Sequence, residues 1–219
     1  MSPSEENYIK VIYHLSQVNP IGVSTNAIAT TLETKASSVT DMLKKLAKKK
    51  WVNYQKYQGV TLTDSGNLKA KLIIRKHRLW EVFLVEKLDF SWDEVHEIAE
   101  DLEHIQSDTL VSRLDKYLGF PSFDPHGDPI PNANGEIAKQ ERLLLSHAVI
   151  NQMYRFIGVC DSSTQFLQFL DKQQIALGDV MTILDQEPFD HSMTVRINAK
   201  ELVLSKKIAD NLYVLNYVG

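Results

Sequence analysis

The sequence predicts a mainly α chain that ends in a small β module. Three observations carry this expectation. Apolar residues recur at helical spacing through most of residues 4–118; residues 119–135 then hold four prolines and three glycines; beyond them short alternating runs replace the helical period. With 219 residues and 43% hydrophobic content, the chain is long enough to bury a sizeable core. The division expected is 1–72, then 73–138 with the Pro/Gly-rich linker from 119, then 139–219.

Ser4 and the glutamates after it open a helix to about Val18, with Tyr8, Ile9, Ile12, Tyr13 and Leu15 near a 3.6-residue period. Asn19-Pro20-Ile21-Gly22 breaks it. Ser24 caps a short helix through Leu32 that buries Ile28 and Ala29. A connector at 33–35 leads into a third helix from Ala36, with Val39, Leu43 and Leu46 on one face. Its other face carries Ser37, Ser38, Thr40, Asp41, Lys44, Lys45 and Lys48. Residues 51–62 alternate around a turn before Gly59 and read as a β-hairpin. Thr63-Asp64-Ser65-Gly66 then opens a long helix to about Leu88.

Helix, helix, helix, hairpin is the order of a winged helix-turn-helix. That order would place the third helix in a DNA major groove and the hairpin and lysines on the backbone. Short hydroxyls on the exposed face permit close approach to phosphates and thymine methyls. The candidate DNA contacts are Thr25, Lys35, Ser37, Ser38, Thr40, Asp41, Lys44, Lys45, Tyr54 and Lys56. The other reading of the Lys48-Lys49-Lys50 run is a solvated helix end, where cations favour the C-terminal dipole.

Residues 93–106 read as one more helix, with Val95, Ile98, Leu102 and Ile105 as its buried stripe, and 107–118 as another. After the linker come a helical turn near 138–146 and strands near 149–159, 180–185, 193–197 and 212–217, interrupted by a helix at 164–170. A small five-stranded barrel is the expected form.

Charge is segregated along the chain. Residues 1–78 carry 13 Lys/Arg against 5 Asp/Glu, residues 79–125 carry 3 against 12, and the remainder 8 against 11. A basic N-terminal third beside an acidic middle implies one surface for phosphates and another for cations. Cys160 is the only cysteine, which excludes an intrachain disulfide and a thiolate zinc cluster. No apolar run reaches the roughly 18 residues of a membrane span, and the N-terminus lacks a signal-peptide core, so a cytoplasmic location is expected.

The acidic middle holds the informative spacing. His96, Glu100, Glu103 and His104 stand at i, i+4, i+7 and i+8 of the helix expected there, and His77 and Glu81 at i and i+4 of the one before. Imidazoles and carboxylates without thiolate suit Mn²⁺, Fe²⁺, Zn²⁺ or Co²⁺. On spacing alone, two solvated charged faces account for the same residues.

Several stretches also resemble one family, the iron- and manganese-dependent repressors of the diphtheria-toxin-repressor type. They are Ser4-Glu5-Glu6-Asn7-Tyr8-Ile9, Ser37-Ser38-Val39-Thr40, Val60 to Gly66, Arg75-Lys76-His77-Arg78-Leu79, Val95-His96-Glu97 with Glu103-His104, and His126 to Pro131. Thr164 to Leu167 and the run 200–217 resemble the family's SH3-like domain. The resemblance implies a winged helix-turn-helix, a helical dimerisation and metal-binding domain, and a small SH3-like β-barrel.

It also implies a homodimer that binds palindromic operator DNA with Mn²⁺ or Fe²⁺ as co-repressor, Zn²⁺ and Co²⁺ being surrogates, and that controls metal-homeostasis genes. By position it puts an ancillary metal site at His77, Glu81 and His96, and an activating site at Glu100, Glu103 and His104. Glu100, where iron-type members have cysteine, resembles the manganese type. Asn7 stands where the family supplies a methionine or aspartate ligand, and Lys10 where some manganese regulators have glutamate. Gln165 matches a ligand of the SH3-like domain, while Ser162 replaces its acidic partner.

Two other readings use the same residues. A winged-helix regulator of an organic or redox signal needs a cavity in place of the His/Glu stripe. A metallohydrolase needs an open metal position and a general base, and the chain has no His-Glu-x-x-His motif.

Overall fold

Ser2 and Glu5 form a reciprocal capping box, so α1 (Pro3–Val18) begins one residue before the expected Ser4. This computed structural model describes residues 1–55 and 58–217. They fall into two compact units: 1–80 with 98–120 and 130–137, and 81–97 with 121–129 and 138–219.

In the first unit, Ser24 caps α2 (Thr25–Thr31) and α3 runs Ala36–Lys48, as the sequence predicts. β1 (Val52–Gln55) and β2 (Gly59–Leu62) pair antiparallel, Val52 opposite Leu62. Val23 adds a bridge to Val60, which joins the hairpin to the helices. Ile9, Ile12, Ile28, Val39, Leu43, Leu46 and Val60 form one buried cluster. α4 (Asp64–Leu88) leaves the hairpin at Gly66, where a Cβ would lie 1.9 Å from the Trp51 carbonyl oxygen. Only glycine lets backbone approach that closely.

Glu5 is buried and faces Lys49 Nζ at 2.6 Å and Lys45 Nζ at 3.0 Å. These pairs tie α1 to α3. Lys49 holds the Glu5 carboxyl at about 2, below its ordinary 4.5; burial opposes this, and the Ser2 backbone and Lys45 add to the pull. Farther on, buried Arg75 donates to Asp115 at 2.6 Å and to the Pro131 carbonyl at 2.8 Å. It thereby fixes α6 (Asp108–Tyr117) and the linker's end against α4.

The expected helix over 93–106 is shorter. α5 spans Val95–Leu102, and Glu103 and His104 occupy the turn that closes it, with the Ile105 amide bonded to the Leu102 carbonyl. The four ligand candidates therefore do not form one helical stripe.

The second unit is built on an antiparallel sheet of order β3-β8-β4-β5-β6-β7. Its strands are β3 (Leu143–Leu144), β4 (Met153–Val159), β5 (Val180–Gln186), β6 (Met193–Ile197), β7 (Lys200–Leu204) and β8 (Leu212–Asn216). α7 (Thr164–Gln173) packs Leu167 and Leu170 into the core with Tyr154, Phe156, Met181 and Val195. The pairing ends at β3 and β7, and among the described residues it does not join them into a ring. Residues 138–142 form no helix; β3 and a 3₁₀ turn at Leu145–His147 stand in place of the expected helical turn. No helix among the described residues is long and apolar enough to cross a membrane.

The Glu5 pairs set a pH dependence. A folded-state value below 4.5 contributes stability that is present above 4.5 and lost as pH falls toward 2. Glu5→Gln is expected to flatten that acid limb and to lower the Tm at pH 7 by about 2–4 °C, since both lysines are substantially exposed. Thermal unfolding across pH measures both. Gly66→Ala is expected to cost roughly 1–3 kcal/mol in denaturant unfolding through overpacking against Trp51.

Candidate metal centre

Two clusters of imidazoles and carboxylates are built, one in each unit. In the first unit, α1 presents Glu6 and Lys10, one turn apart, toward the end of α5, with Asn7 next to Glu6 in the chain. Glu6 is buried; its Oε2 lies 2.5 Å from His104 Nδ1 and its Oε1 accepts from Gln106 at 2.7 Å, with Lys76 Nζ at 3.6 Å. A carboxylate on Nδ1 fixes the ring and leaves Nε2 as the ligand nitrogen.

Glu103 has no solvent exposure. Lys10 Nζ donates to its two oxygens at 2.7 and 2.9 Å and to Glu100 Oε1 at 3.1 Å, while His77 Nδ1 lies 2.7 Å from Glu103 Oε2. Burial pushes the Glu103 carboxyl up, but His77 and Lys10 outweigh it and hold it below its ordinary value.

In the second unit, Glu81, Asp124 and His126 are all buried, with one ligand atom of each within 4.8 Å of the others. His126 Nδ1 is 3.7 Å from Glu81 Oε1, and His96 Nδ1 is 3.4 Å from the same oxygen. The ring of His126 is set by Nε2 against the Trp92 carbonyl at 2.8 Å and by stacking on the Trp92 indole. Asp124 accepts from the backbone amides of His126 at 2.8 Å and Asp128 at 2.9 Å. Gly127, at φ +84°, lets this loop lie against β4, where a Cβ would fall 2.0 Å from the Ile157 carbonyl. Burial opposes charge on His126, yet Glu81 and then Asp124 raise its pKa.

Hard oxygen donors with imidazole nitrogen fit Mn²⁺ or Fe²⁺ at both clusters. Glu100, Glu103 and His104 are gathered at the end of α5. His77 and Glu81 stand one turn apart on α4, with His77 also on Glu103 and Glu81 beside His96. Gln165 stands on α7, where with Asp161, Ser163 and Lys207 it lines a cavity of about 240 Å³.

The sequence reading missed Glu6, Asp124 and His126 as site residues. The signal for the last two was present in Asp124-Pro125-His126-Gly127, where a glycine behind a histidine inside a proline-rich stretch marks a built loop.

On α3, Ser37, Ser38, Asp41, Lys44 and Lys45 are exposed and Thr40 half-buried; Lys35, the residue before it, is exposed, and Thr25 on α2 half-buried. Lys44 pairs with Asp41 at 3.3 Å, and Thr40 donates back to the Ala36 carbonyl at 3.0 Å. Tyr54 packs partly on the core; Lys56 lies outside the described residues.

Comparison with known proteins gives three family models. Residues 1–60 match "Iron dependent repressor, N-terminal DNA binding domain", residues 63–132 match "Iron dependent repressor, metal binding and dimerisation domain", and residues 143–216 match "FeoA domain". An HTH-type transcriptional regulator of Methanocaldococcus jannaschii is 40% identical over 118 residues, spanning 54% of this chain and 94% of that protein. The iron-dependent repressor IdeR of Mycobacterium leprae is 33% identical over 128 residues, 58% of this chain and about half, 54%, of IdeR. A solved structure described as a manganese-dependent transcriptional repressor in complex with manganese superposes with a TM-score of 0.85. It is 34% identical and covers 97% of this chain and 100% of its own.

The raised His126 value sets an expectation for the metal-free protein. Its contribution to stability is fully present below 6.5 and is lost as pH rises through the higher folded value. In an NMR titration the His126 imidazole is expected to titrate above 6.5, and His126→Gln to remove the corresponding slope from unfolding stability.

Proposed function

The chain belongs to the iron-dependent repressor family of metal-responsive transcription regulators, and on that premise we propose how its residues make DNA binding depend on a cation. It is a metal-dependent repressor that binds operator DNA as a homodimer with a divalent cation as co-repressor. One observation supports the assignment of residues most strongly. α1 packs Ile9 and Ile12 into the core of the winged-helix bundle and, on its other side, brings Glu6 to His104 and Lys10 to Glu100 and Glu103.

We assign Glu100, Glu103 and His104 as the activating ligands, with Asn7 contributing its amide oxygen and Glu6 orienting His104. Glu81 and His96, together with Asp124 and His126, form the ancillary set, and His77, one turn before Glu81, belongs with it. Gln165 is a weaker member by resemblance. A bound cation supplies positive charge that holds carboxylates from separate elements in one arrangement. It favours the DNA-competent state only as far as it binds that state more tightly. Carboxylate at position 100 rather than thiolate favours Mn²⁺ over softer ions, with Fe²⁺ next.

The DNA-facing surface is α3, through Ser37, Ser38, Thr40, Asp41, Lys44 and Lys45, flanked by Thr25, Lys35 and Tyr54, with Lys56 a further contact proposed from the sequence alone. Exposed Leu110 and Tyr117 on α6 and Phe120 beyond it offer the apolar face of the dimer. We read the chain as three domains, 1–72, 73–138 and 139–219, the last a partly open SH3-like barrel, acting in the cytoplasm without catalysis.

The test is operator binding measured by fluorescence anisotropy, on a palindromic DNA selected in the presence of Mn²⁺. Mn²⁺ is expected to strengthen binding at least tenfold, chelator to reverse it, and Glu103→Gln with His104→Ala to abolish the response. Affinity indifferent to metal and chelator contradicts the proposal.

A further inference from the structure

A side-chain ammonium already occupies the place between the two acidic ligands of the α5 turn. Lys10 Nζ lies 2.7 and 2.9 Å from the Glu103 oxygens and 3.1 Å from Glu100 Oε1, and its side chain is only 11% exposed. We propose that Lys10 is a built-in competing cation, which a divalent metal must displace from Glu100 and Glu103, and which thereby sets the metal concentration at which the protein responds. This inference rests on the assignment of those two carboxylates as metal ligands.

Three considerations support it. The first is steric and electrostatic: a divalent cation taken up by Glu100 and Glu103 would need the space between their oxygens that Nζ now fills. An ammonium has three donor hydrogens and no lone pair, so Lys10 cannot join the coordination sphere while charged. Two cations at that separation repel strongly in a partly buried setting.

The second is energetic. Glu103 is fully buried, and a buried carboxylate without a cation is costly, so Lys10 stabilises the metal-free protein. Metal binding is then an exchange of one cation for another, and its net gain is smaller than the coordination alone provides. The third is mechanical. Lys10 leaves on a flexible four-carbon stem from α1, while Glu6 stays on His104 and Asn7 stays on the same helix face. The exchange needs no movement of the helix.

The experiment titrates the full chain with Mn²⁺ and reads free Mn²⁺ by electron paramagnetic resonance, alongside the Tm with and without the metal. Lys10→Gln is expected to bind Mn²⁺ tighter by about tenfold, the scale of one ion pair of this kind. It is also expected to lower the Tm of the metal-free protein while leaving that of the Mn²⁺-loaded protein near wild type. Lys10→Arg, which keeps the charge and grips carboxylates with a fork, is expected to bind Mn²⁺ no tighter than wild type. Unchanged or weaker affinity in Lys10→Gln, or tighter affinity in Lys10→Arg, overturns the proposal. If Glu103→Gln still binds one Mn²⁺ fewer than wild type in that case, the ligand assignment stands and only the competing role of Lys10 falls. If Glu103→Gln binds as wild type, the assignment falls with it.

Discussion

A carboxylate removed from water needs positive charge around it, and Glu103 is the place where this chain accepts that constraint. Its oxygens are held by Lys10 from α1 and by His77 from α4, so three separate stretches of sequence meet on one anion. With the Glu6–His104 contact beside it, this arrangement couples the first helix of the DNA-binding bundle to the acidic turn after α5. Remove the anion and the reason for these elements to converge disappears. The cation that satisfies it is therefore the natural control variable of the molecule.

The rest of the first unit keeps that convergence in register. Glu5, one residue before Glu6, is bound to Lys45 and Lys49 and caps its own helix, so α1 is fixed in rotation as well as position. Gly66 sets where α4 leaves the hairpin, and Arg75 anchors α6 and the linker to the helix that carries His77. In the second unit, a glycine-dependent loop performs the equivalent task for Asp124 and His126. The two clusters are made from the same chemistry by different means, one by helix packing and the other by a loop pinned to a strand.

Much of this was legible from residue spacing. The order of helices and hairpin followed from apolar period, Ser24 and Gly59, and every helix bound in residues 1–88 fell within a residue or two of its expected place. The C-terminal sheet was read less completely. β7 begins Lys200-Glu201, a polar start on an edge strand, and is reached through Asn198 and Ala199, both at positive φ. Asparagine is at ease there, but alanine carries no turn signal, so the hairpin between β6 and β7 was hidden.

The site was half legible for a similar reason. A helical stripe is visible only while the helix lasts, and α5 ends before Glu103, so spacing grouped His96 with residues that belong to the other cluster. Glu6 lies far in sequence from His104, and Asp124 and His126 lie far from Glu81, so none of the three gave a periodic signal. Resemblance to the repressor family supplied the ligand names that spacing left ambiguous, and the structure supplies the partners that orient them. The most direct test of the account is anomalous X-ray diffraction at the manganese edge from crystals of the Mn²⁺-loaded protein. One peak is expected among Glu100, Glu103 and His104, with Lys10 withdrawn, and a second at Glu81, Asp124 and His126. Loaded crystals with no manganese near Glu103 and the Lys10 ion pairs intact would contradict it.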